Sequence, residues 1–102
     1  MKYVEVAELA DLKPGNMKSV TADGKEILIV NVGGSVFALG NRCTHAGGDL
    51  SKGTLEGNVV ICPRHKSHFD VTTGKRISGP ARNDEPVYEV KIAGGKITLA
   101  LQ

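Results

Sequence analysis

Two short cysteine–histidine pairs constrain this chain of 102 residues more than any other feature of its sequence. The first is the segment Cys43–His45, with the pattern C-x-H, and the second is Cys62–His65, with the pattern C-x-x-H. Sixteen residues separate the two pairs, which together hold both cysteines and all but one of the three histidines. Thiolate and imidazole groups are ligands for zinc and for iron–sulfur clusters. A fold that uses both pairs at one site must therefore bring two distant loops together.

The composition of each pair favours one kind of metal site. Structural zinc sites usually take two cysteines from one turn, whereas each loop here supplies one cysteine followed by one histidine. That order suits a 2Fe–2S cluster in which one iron binds the two cysteines and the other iron binds the two histidines. A non-catalytic interaction module that is stabilised by zinc is the alternative from the residues alone.

Glycine-rich turns divide the rest of the chain into short apolar or alternating segments. Alternating segments joined by turns such as Gly33-Gly34 and Gly94-Gly95 are typical of β-hairpins. Strands are predicted at 18–22, 26–32, 35–39, 87–92 and 96–101, with an internal turn and strand in 55–61. One helical segment is predicted at 6–12, where Pro14-Gly15 ends it. Short strands with frequent turns predict an antiparallel all-β domain.

The region from about 41 to 82 differs from the rest because it is rich in Gly and Pro and holds every Cys and His. We therefore predict a single domain, residues 1–102, in which residues 41–82 form a small cluster-binding subdomain within a base domain. Residues 42–82 carry seven basic and three acidic side chains, a net charge of +4, and the remainder carries six basic and eight acidic, a net charge of −2. A basic cluster end would steer the protein toward acidic partners.

The two loops resemble the cluster-binding loops of the Rieske iron–sulfur proteins. The resemblance rests on the segments 43–48 and 62–65, continues through 69–70, 73–75 and 79–81, and is compatible with the remaining strand pattern. It implies an all-β fold with an antiparallel, Rieske-like β-sandwich or barrel base and a small inserted cluster-binding subdomain. It also implies one Rieske-type 2Fe–2S cluster. The ligands that it implies are Cys43, His45, Cys62 and His65.

Departures from the family pattern narrow the resemblance. Respiratory and photosynthetic Rieske proteins carry an extra cysteine in each loop and join the loops by a disulfide, but Gly48 and Arg64 occupy those places here. Those proteins also offer a serine hydroxyl and a tyrosine hydroxyl to a cluster sulfur. Ser67 matches the serine, whereas Phe69 stands in place of the tyrosine and has no hydroxyl. Fewer hydrogen bonds to sulfur lower the reduction potential. The resemblance is therefore to the soluble, low-potential ferredoxins of ring-hydroxylating dioxygenase systems. His68 is expected to be a surface residue rather than a ligand, because the ligand set is complete without it.

The resemblance implies an electron carrier rather than an enzyme. The expected electron donor is a flavoprotein or other ferredoxin reductase, and the expected acceptor is a terminal oxygenase or another redox enzyme. An accessory or redox-sensing subunit of a larger oxidoreductase, such as the small subunit of a nitrite reductase, is the alternative.

The composition gives no indication of a nucleic-acid or membrane partner. The formal charge is only +2, and no stretch approaches the roughly 20 apolar residues that a membrane span needs. The N-terminus shows no export signal. We therefore expect a cytoplasmic protein that binds neither nucleic acid nor a membrane.

Overall fold

A computed structural model describes residues 2–44, 47–64, 66–79 and 83–101. Within these ranges the chain forms two short 3₁₀ turns, at Leu9–Asp11 and Leu50–Lys52, and no helix that is long and apolar enough to cross a membrane. The strands in the same ranges are β1 (Lys2–Glu8), β2 (Met17–Ala22), β3 (Lys25–Val32), β4 (Ser35–Gly40), β5 (Thr54–Glu56), β6 (Val59–Ile61), β7 (His68–Asp70), β8 (Arg76–Ser78), β9 (Val87–Ala93) and β10 (Lys96–Leu101).

The strands form two antiparallel sheets. The larger sheet has the order β1-β10-β9-β4-β3-β2, and its two edge strands contact each other, so that it is a nearly closed barrel. The smaller sheet has the order β5-β6-β7-β8 and lies between β4 and β9 along the chain. The predicted all-β antiparallel fold is therefore confirmed. The smaller sheet falls inside residues 41–82, and the assignment of that range as a cluster-binding subdomain stays a prediction.

Strand β3 contributes to two hydrophobic cores, because successive side chains of a strand point to opposite faces. Ile27 and Ile29 pack with Leu99 and other side chains of the larger sheet. Leu28 and Val30 point the other way and pack with side chains of the smaller sheet. All four are fully buried. This double contact explains why the segment is apolar on both faces, and it attaches the smaller sheet firmly to the barrel.

The helix predicted at 6–12 is wrong over most of its length. Strand β1 continues to Glu8, which pairs with Lys96 of β10, and only the 3₁₀ turn that follows is helical. The register shifts between Glu5 and Ala7, so that Val6 and Ala7 are both partly buried in the barrel. A β-bulge breaks the two-residue alternation by which a strand is recognised. The other predicted strands are present, whereas β1, β7 and β8 lie outside them. The segment 55–61, predicted to hold one strand, contains most of the hairpin of β5 and β6.

Candidate metal centre

Both cysteines lie in loops that begin at the ends of strands. Cys43 follows β4, and Cys62 comes directly after β6. Their side chains are buried, neither forms a disulfide, and both belong to the core that also holds Val60 and Phe69. The two sulfur atoms are therefore anchored in the packed interface between the smaller sheet and the barrel.

The first loop is a tight turn that its own backbone holds together. The Cys43 amide donates a hydrogen bond of 2.8 Å to the Gly48 carbonyl, and the Gly47 amide donates one of 2.8 Å to the Cys43 carbonyl. Gly47 has a φ of +69°, a conformation that favours glycine. At the base of the loop, the Arg42 guanidinium forms two 2.7 Å hydrogen bonds to the Glu26 carboxylate. These bonds fix the backbone around Cys43.

One backbone hydrogen bond closes the second loop. The Cys62 amide donates it to the Ser67 carbonyl at 2.8 Å. Lys66 has a φ of +60°, and Nδ1 of His68 lies 2.8 Å from the Lys66 carbonyl oxygen. His68 is partly exposed and lies at the start of β7 rather than in the loop. That it is not a ligand stays a prediction. Gly79 packs against this loop so closely that a Cβ there would lie 2.5 Å from the Ser67 Cα. Backbone contacts therefore hold the second loop in place.

The two loops meet at the sulfur of Cys62. A Cβ built on Gly48 would lie 2.9 Å from this sulfur, so the first loop approaches it as closely as a glycine allows. Burial raises the pKa of the Cys62 thiol, and the neighbouring Cys43 thiol raises it further. The backbone amide of Arg64 lowers this pKa, because it donates a hydrogen bond to the sulfur. The structure thus brings Cys43 and Cys62 together, as the sequence predicted.

The described residues fit the thiolate half of the predicted cluster. Two adjacent, buried thiols without a disulfide, one with a backbone amide directed at it, are suited to bind one iron of a 2Fe–2S centre. The other two predicted ligands, His45 and His65, lie outside the described residues. Accordingly, no group of three or more potential metal-binding side chains occurs in the described ranges.

Glu85 is a buried acid beside the first loop that no sequence motif indicates. Its side chain is only 4% exposed, and its Oε2 accepts a 3.0 Å hydrogen bond from the Thr44 amide. Burial raises the pKa of Glu85 to about 7, although the hydrogen bond from Thr44 opposes the shift. In the sequence this residue looks like an ordinary charged loop position before a proline, so no local pattern indicates its burial.

Comparison with known proteins agrees with this geometry over the length of the chain. Residues 2–92 match the family model described as "Rieske [2Fe-2S] domain". The ferredoxin component of the naphthalene 1,2-dioxygenase system of Pseudomonas putida is 37% identical over 101 residues, which are 99% of this chain and 97% of that protein.

Solved structures give the same result. The ferredoxin of carbazole 1,9a-dioxygenase from Nocardioides aromaticivorans IC177 superposes with a TM-score of 0.95 at 35% identity, and the match covers 100% of both chains. A chain in a complex of reduced oxygenase and oxidized ferredoxin in carbazole 1,9a-dioxygenase matches with a TM-score of 0.91 at 33% identity. That match covers 96% of this chain and 92% of the other.

The contact between the loops predicts the effect of Gly48→Ala. The added Cβ would lie 2.9 Å from the Cys62 sulfur and would force the loops apart. We expect several-fold less iron and acid-labile sulfide per purified chain. Gly57→Ala is the control for steric contact, because no atom lies within 4 Å of its Cβ position, and its φ of +61° gives alanine a backbone strain that position 48 does not impose. A Gly48→Ala protein with the wild-type iron content would contradict this prediction.

The raised pKa of Glu85 predicts that stability depends on pH. The folded-state value of about 7 exceeds the ordinary value of 4.5, so the folded protein binds the proton more tightly than the unfolded chain. The contribution of Glu85 to the free energy of unfolding is therefore complete below about pH 4.5 and is lost as the pH rises through about 7, by at most roughly 3 kcal/mol. Relative to Glu85→Gln, wild-type melting temperatures should fall between about pH 5 and about pH 8. A difference in melting temperature between the wild type and Glu85→Gln that stays constant with pH would contradict this. Glu89→Gln is the control, because Glu89 is exposed and its replacement should leave the pH dependence of the wild type unchanged.

Proposed function

The chain belongs to the Rieske [2Fe-2S] domain family, and from this premise we propose that it is the ferredoxin of a multicomponent dioxygenase system. It passes single electrons to a terminal oxygenase. The observation that carries this proposal is that the whole chain, and not only its two loops, matches such ferredoxins in sequence and in structure. One matching structure is a complex of a ferredoxin with its oxygenase.

The proposed cluster ligands are two from each loop. Cys43 and Cys62 hold one iron, and His45 and His65 hold the other. The bound 2Fe–2S cluster supplies a centre that gains and loses one electron reversibly. The buried cysteines hold it against the core, and residues 41–82 act as its binding subdomain within the single domain 1–102. The adjacency and burial of the two thiols support this arrangement.

The surroundings of the proposed cluster support a low reduction potential within the Rieske class. The chain has only two cysteines, so no additional disulfide ties the loops. Phe69 is fully buried in the same core as the two cysteines and offers no hydroxyl. Since hydrogen bonds to sulfur raise the potential, we propose a value in the lower part of the Rieske range.

An electron carrier, rather than an enzyme, agrees with the relatives, which are named as ferredoxin components of dioxygenase systems. Two surface clefts, of about 590 and 450 Å³, are lined by residues of the barrel and the smaller sheet and include neither cysteine. Neither cleft would hold a substrate beside the cluster. The cytoplasmic location expected from the sequence stays a prediction.

The second loop has a surface suited to negatively charged partners. Arg64, Lys66 and Arg76 are exposed on this loop and on the neighbouring strand β8, and we call these three residues the basic rim. Ile77, which is 50% exposed, lies beside them and adds an apolar contact. We propose that the basic rim docks on acidic surfaces of the terminal oxygenase and of the reductase, a flavoprotein or other ferredoxin reductase.

The first test of this proposal is the metal content of protein purified without oxygen. We expect about two irons and two sulfides per chain, and neither Cys43→Ser nor Cys62→Ser should assemble a stable cluster. The reduced wild type should then transfer its electron to the oxygenase component of a naphthalene or carbazole dioxygenase in stopped-flow mixing.

One zinc per chain without sulfide would instead support the zinc-stabilised interaction module. Electron transfer to a nitrite reductase but to no oxygenase would support the accessory subunit.

The basic rim predicts that electron transfer depends on charge and salt. Arg64→Glu combined with Arg76→Glu should slow electron transfer to the oxygenase several-fold, because like charges oppose docking. Higher salt should slow the wild type and narrow the difference. Lys18→Glu combined with Lys25→Glu is the control with the same change of charge, because both lysines are exposed on the barrel, on β2 and β3. Equal rates for rim and control variants would contradict a docking role of the rim.

A further inference from the structure

We propose that Glu85 is a positioning residue for the cluster, whose carboxyl group braces the first ligand loop at Thr44. This residue stands between Cys43 and His45, so the inference rests on the proposed ligation by those two residues. Neither the ligand pattern nor the family match assigns a role to Glu85.

The brace consists of two hydrogen bonds to one residue of the loop. The Thr44 amide donates to Glu85 Oε2 at 3.0 Å, and the Thr44 hydroxyl donates to the Asn83 carbonyl at 2.7 Å. Both acceptors belong to a segment about forty positions further along the chain. The orientation of the backbone between the two proposed ligands is therefore set by residues 83–85 as well as by the loop itself.

The segment that carries Glu85 is itself fixed to the body of the protein. The Glu85 amide donates a 2.8 Å hydrogen bond to the Gly74 carbonyl, and the Gly40 amide donates a 2.9 Å hydrogen bond to the Pro86 carbonyl. Gly74 also approaches so closely that a Cβ there would overlap the Glu85 carbonyl oxygen. The carboxyl group thus projects toward Thr44 from a backbone with bonds on both sides.

The carboxyl group packs against Gly40 at the end of β4. A Cβ on Gly40 would lie 2.6 Å from Glu85 Oε1 and 3.1 Å from the ring of Pro86. Gly40 is not among the glycines with a positive φ, so its backbone conformation does not itself require glycine. The absence of a side chain at Gly40 is therefore explained by the room that Glu85 needs.

The burial of this acid is costly, which indicates that the bond to Thr44 has a role. Glu85 forms no ion pair with any residue in the described ranges, and a buried carboxyl group is expensive when no charge compensates it. A carboxyl oxygen can, however, accept the hydrogen bond from the Thr44 amide whether the group is ionised or protonated. Without it, a partly buried amide between two ligands would lose its partner.

The test compares Glu85→Ala and Glu85→Gln by the electron paramagnetic resonance spectrum of the reduced cluster and by its lifetime in the presence of an iron chelator. Glutamine keeps an oxygen that can accept from the Thr44 amide, whereas alanine removes the acceptor. We expect Glu85→Ala to shift the g values and to lose the cluster several-fold faster, and Glu85→Gln to resemble the wild type. Glu89→Ala and Glu89→Gln, on the exposed face of β9, are the controls and should change neither measurement.

Two results would overturn the inference. One is a Glu85→Ala protein with wild-type g values and cluster lifetime, and the other is a Glu85→Gln protein as disturbed as the alanine variant. If the alanine variant assembles no cluster, the glutamine variant decides. A Glu85→Gln protein with wild-type g values and cluster lifetime then supports the inference, and one that also lacks the cluster overturns it. A failure of the proposed ligation is seen separately, because the wild type itself would then lack the signal of a reduced 2Fe–2S cluster.

Discussion

The convergence of two loops on a buried pair of sulfur atoms is the constraint on which this structure depends. Cys43 and Cys62 lie in the core that joins the smaller sheet to the barrel, and that core is closed by Leu28 and Val30 of β3. Removing large side chains from such a core costs about 2–5 kcal/mol, and here it would also displace the sulfur atoms. Stability and the placement of the two sulfur atoms are therefore properties of the same packing contacts.

The two loops are held by different kinds of contact. The second loop is closed by the hydrogen bond between Cys62 and Ser67 and by the close approach of Gly79, all through backbone atoms. The first loop adds side chains from distant segments, namely the carboxylate of Glu26 through Arg42 and the carboxyl group of Glu85. A substitution at Glu26 or Glu85 can therefore alter the first loop from a distant segment of the chain.

The sequence predicts those features that depend on local pattern. The hairpin of β3 and β4 and that of β9 and β10 follow from apolar or alternating segments joined by Gly-Gly turns. The two Cys–His pairs indicate that Cys43 and Cys62 lie together, whereas cluster ligation by Cys43, His45, Cys62 and His65 stays a prediction. The start of the chain was misread because the bulge in β1 breaks its alternation. Strands β7 and β8 have three residues each, which is too short for a period to be seen.

The burial of Glu85 is a feature that no local pattern could predict, because it depends on three parts of the chain that meet only in the folded state. Gly40 provides space, Gly74 fixes the backbone, and Thr44 supplies the donor. Each is unremarkable in its own segment, and the carboxyl group is buried only when all three surround it. Two short motifs can therefore be recognised in the sequence, while the contacts that orient them become visible only once the sheets are assembled.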